Sequence, residues 1–438
     1  MTESFTLQNI KDFKVKLLNC LRPENVFCIL DTNDFYEGKD LASKPYYHTY
    51  DYIVAMGAKA ILKCSAGYAF EKLKAFKNEH QNEWIFGYFG YDLKNEIEVL
   101  ESDNTDHLDF EDMFFFVPEN VLLIKENQLI IHSGTNSKLN ELLNIINNEQ
   151  TKHKLSNTNL IEFKNRIAKA YYLETVEKLR NHIIEGDVYE VSYCQEFYAE
   201  NADIDPFQTF EKLSQISPQP FSSFMRIEDK YILSASMERY LKKEGNKLIS
   251  QPIKGTIRRG KDAEEDEFMK NALLNDEKER AENVMIVDLV RNDLSRTCIP
   301  GSVKVEELFG IYEFPGVYQM ISTVVGELLP DKAGLDAIKG SFPMGSMTGA
   351  PKVMAMEIIE QYEQSKRGIY SGALGYFAPN GDFDFNVVIR TLLYNASKKN
   401  LSLHVGSAIT YDSVPDREYE ECLVKIRGIL KLFEDVGI

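Results

Sequence analysis

The chain has 438 residues, 44% hydrophobic and 27% charged, enough for two or three average domains or one large fold with an elaborate core. Its net charge of −18 argues against a nucleic-acid binder, whose affinity comes largely from Lys and Arg on phosphates, and an anionic substrate would need a local positive site. No stretch approaches the roughly 20 apolar residues of a membrane span, and MTESFTLQNIKDF lacks a basic patch before an apolar run, so a cytoplasmic protein is expected.

In the first 150 residues, short strand-like runs alternate with helical stretches: Val26–Leu30, Trp84–Tyr91, Met113–Val117, Val121–Ile124 and Leu129–His132 read as strands. Glu149–Asn159 is polar and lacks apolar periodicity, which reads as a linker or long surface loop. Ile167, Ala170, Leu173, Val176, Leu179 and Ile183 then follow helical spacing, and Gly186 closes that helix. Asp205 before Pro206 is an N-cap followed by Pro at the first helical position. FSSFMRI, YILSAS and YLKKEGNKLIS, between Phe221 and Ser250, read as hairpins, the last around a Gly-Asn turn. Two acid-rich helices follow around Asp262–Asp293, and another spans Pro351–Tyr362. Strands flank the Pro379-Asn380-Gly381 turn, Leu401–Val405 is a strand, and Asp416–Glu434 is a closing helix. Hairpins mixed with helices, without regular βαβ alternation, predict an α+β fold.

The six cysteines (Cys20, Cys28, Cys64, Cys194, Cys298, Cys422) include no CxxC pair and read as buried or inert thiols. Three other features are candidates for chemistry. GSMTGAPK (Gly345–Lys352) is a Gly-rich turn before a Pro-started helix, but its lysine does not directly follow the second glycine and no Ser or Thr follows it. A tight turn with a helix cap is the plainer reading. PIKGTIRRG (Pro252–Gly260) clusters Lys254, Arg258 and Arg259. A lysine beside cations can become a nucleophile, yet on these residues alone a solvated basic turn balancing nearby acids is simpler. Two ExxE pairs, Glu279/Glu282 and Glu418/Glu421, put like charges on one helix face, where a divalent cation such as Mg²⁺ would neutralise them. The same spacing recurs at Glu174/Glu177 and Glu360/Glu363, and most such pairs in an acidic chain are solvated faces.

Taken in order, PIKGT (Pro252–Thr256), ERAENVMIVDLVRNDLSR (Glu279–Arg296), GSMTGAPKVMAMEII (Gly345–Ile359), IYSGALGYF (Ile369–Phe377), VIRTL (Val388–Leu392) and YDSVPDREYEEC (Tyr411–Cys422) resemble the chorismate-binding enzymes. That family holds the anthranilate, aminodeoxychorismate, isochorismate and salicylate synthases. FGYFGYDL (Phe86–Leu93) resembles the N-terminal element of the amine-transferring members. The resemblance implies one sandwich of two facing antiparallel sheets, helices outside, with chorismate between the sheets. It assigns residues 1–150 to the N-terminal region of the amine-transferring enzymes and 160–438 to the chorismate-binding catalytic region. It further implies Glu282 and Glu421 as direct Mg²⁺ ligands supported by Glu279 and Glu418. Arg390 and Tyr370 would grip the enolpyruvyl carboxylate, with Thr256 and Lys352 lining the same pocket. Ser407 and Ala408 stand where relatives have glycines whose N–H groups approach the substrate, so Ala408 must suit backbone angles that accept a Cβ.

Lys254 carries the finer reading. Anthranilate synthases typically have PIAGT here, whereas aminodeoxychorismate synthases have PIKGT. The resemblance implies that the lysine attacks C2 of chorismate and expels the C4 hydroxyl before ammonia adds at C4, the step feeding p-aminobenzoate and folate. Glu238, in SASMERY, matches the acid that protonates the departing hydroxyl, which requires a raised pKa. Lys254 must in turn lose its proton, and Arg258, Arg259 and desolvation are expected to push its pKa down, with the crowd of nearby carboxylates opposing them. Glu190 stands where amine-transferring members usually carry Gln and water-adding members a Lys, which argues against isochorismate or salicylate synthesis. Gln319 replaces a common His, Ser192 a common Asn, and Met237 a Pro. No cysteine lies in a GxCxG-like elbow, so ammonia is expected from a separate glutamine amidotransferase, and the end at Ile438 implies no fused lyase domain. Anthranilate synthesis and a non-catalytic chorismate-binding subunit are the alternatives.

Overall fold

The computed structural model describes residues 2–39, 44–133 and 161–433; the expected linker Glu149–Asn159 lies outside them. The described strands form two antiparallel sheets, of 12 and 10 strands. The elements that build the site are, in chain order, helix α1 (Lys169–Glu185), strands β1 (Glu190–Ala199), β2 (Lys230–Ser236), β3 (Arg239–Glu244) and β4 (Ile253–Arg258), helix α2 (Glu277–Ser295), strand β5 (Val317–Glu327), helix α3 (Lys352–Tyr362), strand β6 (Asn400–Ile409) and helix α4 (Pro415–Leu430).

The helix signals in the sequence hold. In α1, Tyr172, Val176 and Leu179 are buried, and Gly186 ends the helix at φ +89°, a left-handed angle that a side chain resists. Asp205 caps Pro206–Ile216 by accepting the N–H groups of Phe207 and Gln208. Strand β1 is buried almost end to end and pairs with β6 from Val191↔Ile409 to Ala199↔Leu401. Its two faces have different neighbours. Val191, Tyr193 and Phe197 share a core with Tyr172, Ile358 and Cys422 of the outer helices. Cys194 belongs to a second core with Phe89, Tyr240 and Phe385 of the smaller sheet. By the two-residue alternation of a strand, Glu190 and Ser192 share the Cys194 face and point between the sheets.

The hairpin run splits where the sequence showed no break. Strand β2 pairs with Phe221–Ile227 in the larger sheet, while β3 pairs with Lys247–Gln251 in the smaller one. Met237 and Glu238 carry the chain across, which sets Glu238 at the passage between sheets. The N-terminal residues complete both layers: Val26–Asp31 pairs with Phe221–Ile227, and Ile85–Phe89 pairs with Ala373–Phe377.

The basic turn expected at PIKGTIRRG is instead strand β4, at the end of the smaller sheet and paired with β5. A register shift between Ile253 and Thr256, around Gly255 at φ +108°, and the charges of an edge strand disguise it as a turn. Arg258 and Arg259 do balance acids, donating to Glu265 and Asp266 of the next helix. No two of the six cysteines form a disulfide, and five are buried.

Candidate active site

Lys254 enters the site from β4. Its Nζ lies 2.8 Å from Glu190 Oε1 on β1 and 3.5 Å from Glu282 Oε2 on α2. Asn283 donates to the Lys254 carbonyl at 3.1 Å and accepts from Ser322 at 2.6 Å, which fixes the backbone of β4 against α2. Gly255 is needed for the approach: a Cβ there would come within 3.2 Å of Glu279 Oε2. These contacts correct the expectation for the lysine. Burial works to lower its pKa, but Glu190 and then Glu282 outweigh it and hold the amine above its ordinary value. Arg258 and Arg259 play no part, being paired with Glu265 and Asp266.

Both ExxE pairs reach this neighbourhood. Asp276 caps α2 by accepting the Glu279 N–H at 2.9 Å, so Glu279 and Glu282 sit in the first turns. Burial raises the pKa of Glu279, and Glu282 adds to it. On α4, burial likewise raises Glu418, hydrogen bonds from Ser413 and Ser407 oppose the shift, and Glu421 reinforces it. Lys278 lies 3.6 Å from Glu282 and feels Glu279 and Glu418 as well, while Lys425 lies 2.6 Å from Glu421. The four carboxylates do not form a closed cage. Among the described residues, only His182, Glu185 and Asp187 bring three such ligand atoms within 4.8 Å of one another. The donor set nevertheless fits Mg²⁺, because hard carboxylate oxygens from two helices repel one another and a divalent cation relieves that repulsion.

Glu238 is buried and accepts the Ser346 hydroxyl at 2.7 Å. Burial pushes its pKa up to about 7, with Ser346, the Ile253 backbone and the Lys254 charge opposing. The direction of the shift is the one a proton donor at this position would need. Arg390 adopts φ +52° and donates to the Lys425 carbonyl at 2.7 Å, and its guanidinium has no ion pair among the described residues. Burial lowers its pKa against the opposing pull of Tyr370 and Glu421. A half-buried guanidinium without a carboxylate partner is a ready anion site. Tyr370 is buried, stacked on His404, and accepts from the Cys194 thiol at 3.7 Å.

The remaining expected residues are spread more widely. Ser407 lies within hydrogen-bond distance of the Tyr172 hydroxyl, 3.2 Å, and Ala408 pairs with Ser192 without a positive φ, so its Cβ costs nothing. Thr256 is exposed and donates to Gln319 at 2.6 Å. Lys352 is buried at the start of α3, where its Nζ donates to Asp293 Oδ2 at 2.6 Å and to the Ser341 carbonyl at 2.9 Å. That commits its charge to α2 and not to Arg390 and Tyr370. The sequence reading missed Arg367, buried and bonded to Glu363 and to the carbonyls of Met347 and Ser192. Glu363 also accepts the Cys194 N–H at 2.8 Å, and Glu360 pairs with buried Lys94, so this ExxE is not a solvated face. The i, i+4 spacing of Glu363 and Arg367 was the available signal. A cavity of about 60 Å³ lined by Asp31, His48, Arg239 and Asp384, among others, contains none of the residues above.

A family model described as chorismate binding enzyme matches residues 30–431. Anthranilate synthase component 1 of Aquifex aeolicus is 32% identical over 92% of this chain and 81% of its own length. Aminodeoxychorismate synthase component 1 of Escherichia coli is 34% identical over 80% of this chain and 76% of its own length. The crystal structure of anthranilate synthase component I from Streptococcus pneumoniae superposes with a TM-score of 0.78 at 27% identity, covering 86% of this chain and 91% of that one. The menaquinone-specific isochorismate synthase MenF of E. coli shares the fold, with a TM-score of 0.76 at 15% identity over 99% of this chain and 94% of that one.

Proposed function

The chain belongs to the chorismate-binding enzyme family, and within it we propose that the protein aminates chorismate at C4, forming 4-amino-4-deoxychorismate with ammonia from a separate glutamine amidotransferase. Overall identity does not choose among family members, since anthranilate and aminodeoxychorismate synthases match almost equally well. The observation that carries the choice is Lys254, an amine held at 2.8 Å by Glu190 between the two sheets, where the anthranilate pattern would have only a methyl group. The relatives' names, component 1, support a second component.

Each residue has a part in that reading. Lys254 is the nucleophile for C2, and splitting the displacement of a poor leaving group into two steps lowers each barrier. Glu238, protonated below about pH 7, gives its proton to the departing C4 hydroxyl and later takes one from the incoming nitrogen. Arg390 and Tyr370 hold the enolpyruvyl carboxylate. Glu282 and Glu421 would hold Mg²⁺, with Glu279 and Glu418 in support, and when bound the cation offers positive charge to the ring carboxylate. Incubation with chorismate, ammonium chloride and Mg²⁺ tests the proposal. Chorismate should be consumed without fluorescent anthranilate, and Lys254→Ala should lose the activity. Anthranilate as the main product refutes it.

A further inference from the structure

We propose that Ser346 is a positioning residue for the amination: its hydroxyl occupies Oε1 of Glu238, so that the proton for the leaving C4 oxygen sits on Oε2. The inference rests on Glu238 being the acid. It gives a task to the Gly-rich turn in GSMTGAPK, which has none in the reaction above. Ser346 lies in the single turn Gly345–Met347 and donates to Oε1 at 2.7 Å. Oε1 is the one acceptor that its hydroxyl has among the described residues, so the hydrogen of that bond belongs to the serine. A carboxyl oxygen that already accepts a hydrogen bond plays the carbonyl part, which leaves the acidic proton to the other oxygen. The turn is a firm mount. The Met347 and Thr348 N–H groups donate to the Met344 and Gly345 carbonyls, each at 3.1 Å. Buried Arg367 donates to the Met347 carbonyl at 2.7 Å, and the Thr348 carbonyl accepts the Ser192 N–H of β1 at 2.8 Å. A Cβ on Gly345 would come within 2.5 Å of Leu289 on α2, so the turn also sits directly against that helix.

Ser346 also sets how readily the proton leaves. Burial favours the neutral acid, and Ser346 is the largest influence opposing it, ahead of the Ile253 N–H and the Lys254 charge, both from β4. A hydroxyl bonds more strongly to a carboxylate than to a carboxylic acid, so this bond tightens as Glu238 ionises. In the step itself an electron pair enters the ring at C2 and the double bonds shift. The C4–O bond breaks with its electron pair on the oxygen, which takes the Oε2 proton and departs as water. The electron pair of the broken O–H bond stays on the carboxylate. Ser346 remains on Oε1 and holds the anion in place until Oε2 takes a proton from the new C4 nitrogen. Without the hydroxyl the proton can rest on either oxygen and the acid is weaker, so it is kept to higher pH but given up less readily.

The test measures kcat and KM for chorismate consumption with ammonium and saturating Mg²⁺ between about pH 6 and pH 8.5, a range that brackets the acid. The proteins are the wild type, Ser346→Ala, Ser346→Thr, Ser346→Val and Glu238→Gln, each checked by thermal melting. Dividing each variant by the wild type at the same pH cancels the titration of ammonium and of every shared group. Ser346→Ala should keep the wild-type KM and lose on the order of tenfold in kcat at the acid end. Its ratio to the wild type should then climb about sevenfold by the alkaline end, as follows when an acid of pKa about 7 moves up by about one unit. Threonine and valine share a shape and differ in the hydroxyl, so they separate the bond from packing and decide the matter if alanine costs the fold. Ser346→Thr should give a ratio that does not change with pH, and Ser346→Val one that climbs. A ratio flat in pH for the folded variants that lack the hydroxyl, a climb in Ser346→Thr as well, or a loss confined to KM overturns the inference alone. Glu238→Gln with wild-type turnover overturns the acid and this inference together.

Discussion

Replacing Glu238 with glutamine should stabilise the protein at alkaline pH while destroying its catalysis. The carboxyl is 5% exposed, and burial moves its pKa from an ordinary 4.5 to about 7. The folded state therefore binds this proton more tightly than the unfolded chain does, so stability is highest in acid and falls as pH rises from 4.5 through 7. At about 1.36 kcal/mol per pKa unit, the ionised side chain costs about 3.4 kcal/mol at pH 8.5 but only about 0.8 kcal/mol at pH 5. Glutamine carries no charge, keeps the shape of the acid and can still accept the Ser346 hydroxyl, so it escapes that cost. Urea unfolding of both proteins at the two pH values should show an advantage for Glu238→Gln that grows by about 2.5 kcal/mol between pH 5 and pH 8.5. Other titrating groups are common to both proteins and cancel in the difference. The variant should lose at least about 100-fold in turnover, because it has no proton to give. An advantage independent of pH, or a less stable variant at pH 8.5, would refute the burial argument.

Three further outcomes follow from the site. Glu282→Gln or Glu421→Gln should lower turnover at least about 100-fold, about 2.7 kcal/mol of barrier, and excess EDTA should do the same; full activity in EDTA removes the metal from the account. Arg367→Ala should cost about 3–5 kcal/mol in urea unfolding, because buried Glu363 loses its only cation among the described residues; a loss below about 1 kcal/mol contradicts this. The chain by itself should aminate chorismate with ammonium but not with glutamine, and should gain glutamine use when a matching amidotransferase is added, measured as chorismate consumed with each nitrogen source.

Local signals in the sequence translated well into structure. Gly186 and Asp205 ended and began helices because each satisfies a backbone requirement that only a few residues meet. The turn at Pro379-Asn380-Gly381 joined two strands as expected. Failures came where the environment was set from a distance. The long hairpin of Lys304–Phe314 and β5 went unread, and β4 looked like a turn, because edge strands carry charges and register shifts that blur alternation. That β2 and β3 lie in different sheets depends on packing that no local pattern encodes. The raised pKa of Glu238 was legible because its motif called for one and its burial supplies it. The charge state of Lys254 was not, since its neighbours in sequence, Arg258 and Arg259, face a helix while its partners in space, Glu190 and Glu282, lie 64 and 28 residues away in the chain. For the same reason, Glu363 looked solvated until Arg367 and the Cys194 backbone closed over it.

The position of the new nitrogen tests the central claim most directly. The full chain, incubated with chorismate, Mg²⁺ and ¹⁵N-ammonium, should give a product whose ¹⁵N couples to the proton on C4, with the enolpyruvyl group retained. Nitrogen bonded at C2, or an aromatic product that has lost pyruvate, would contradict it.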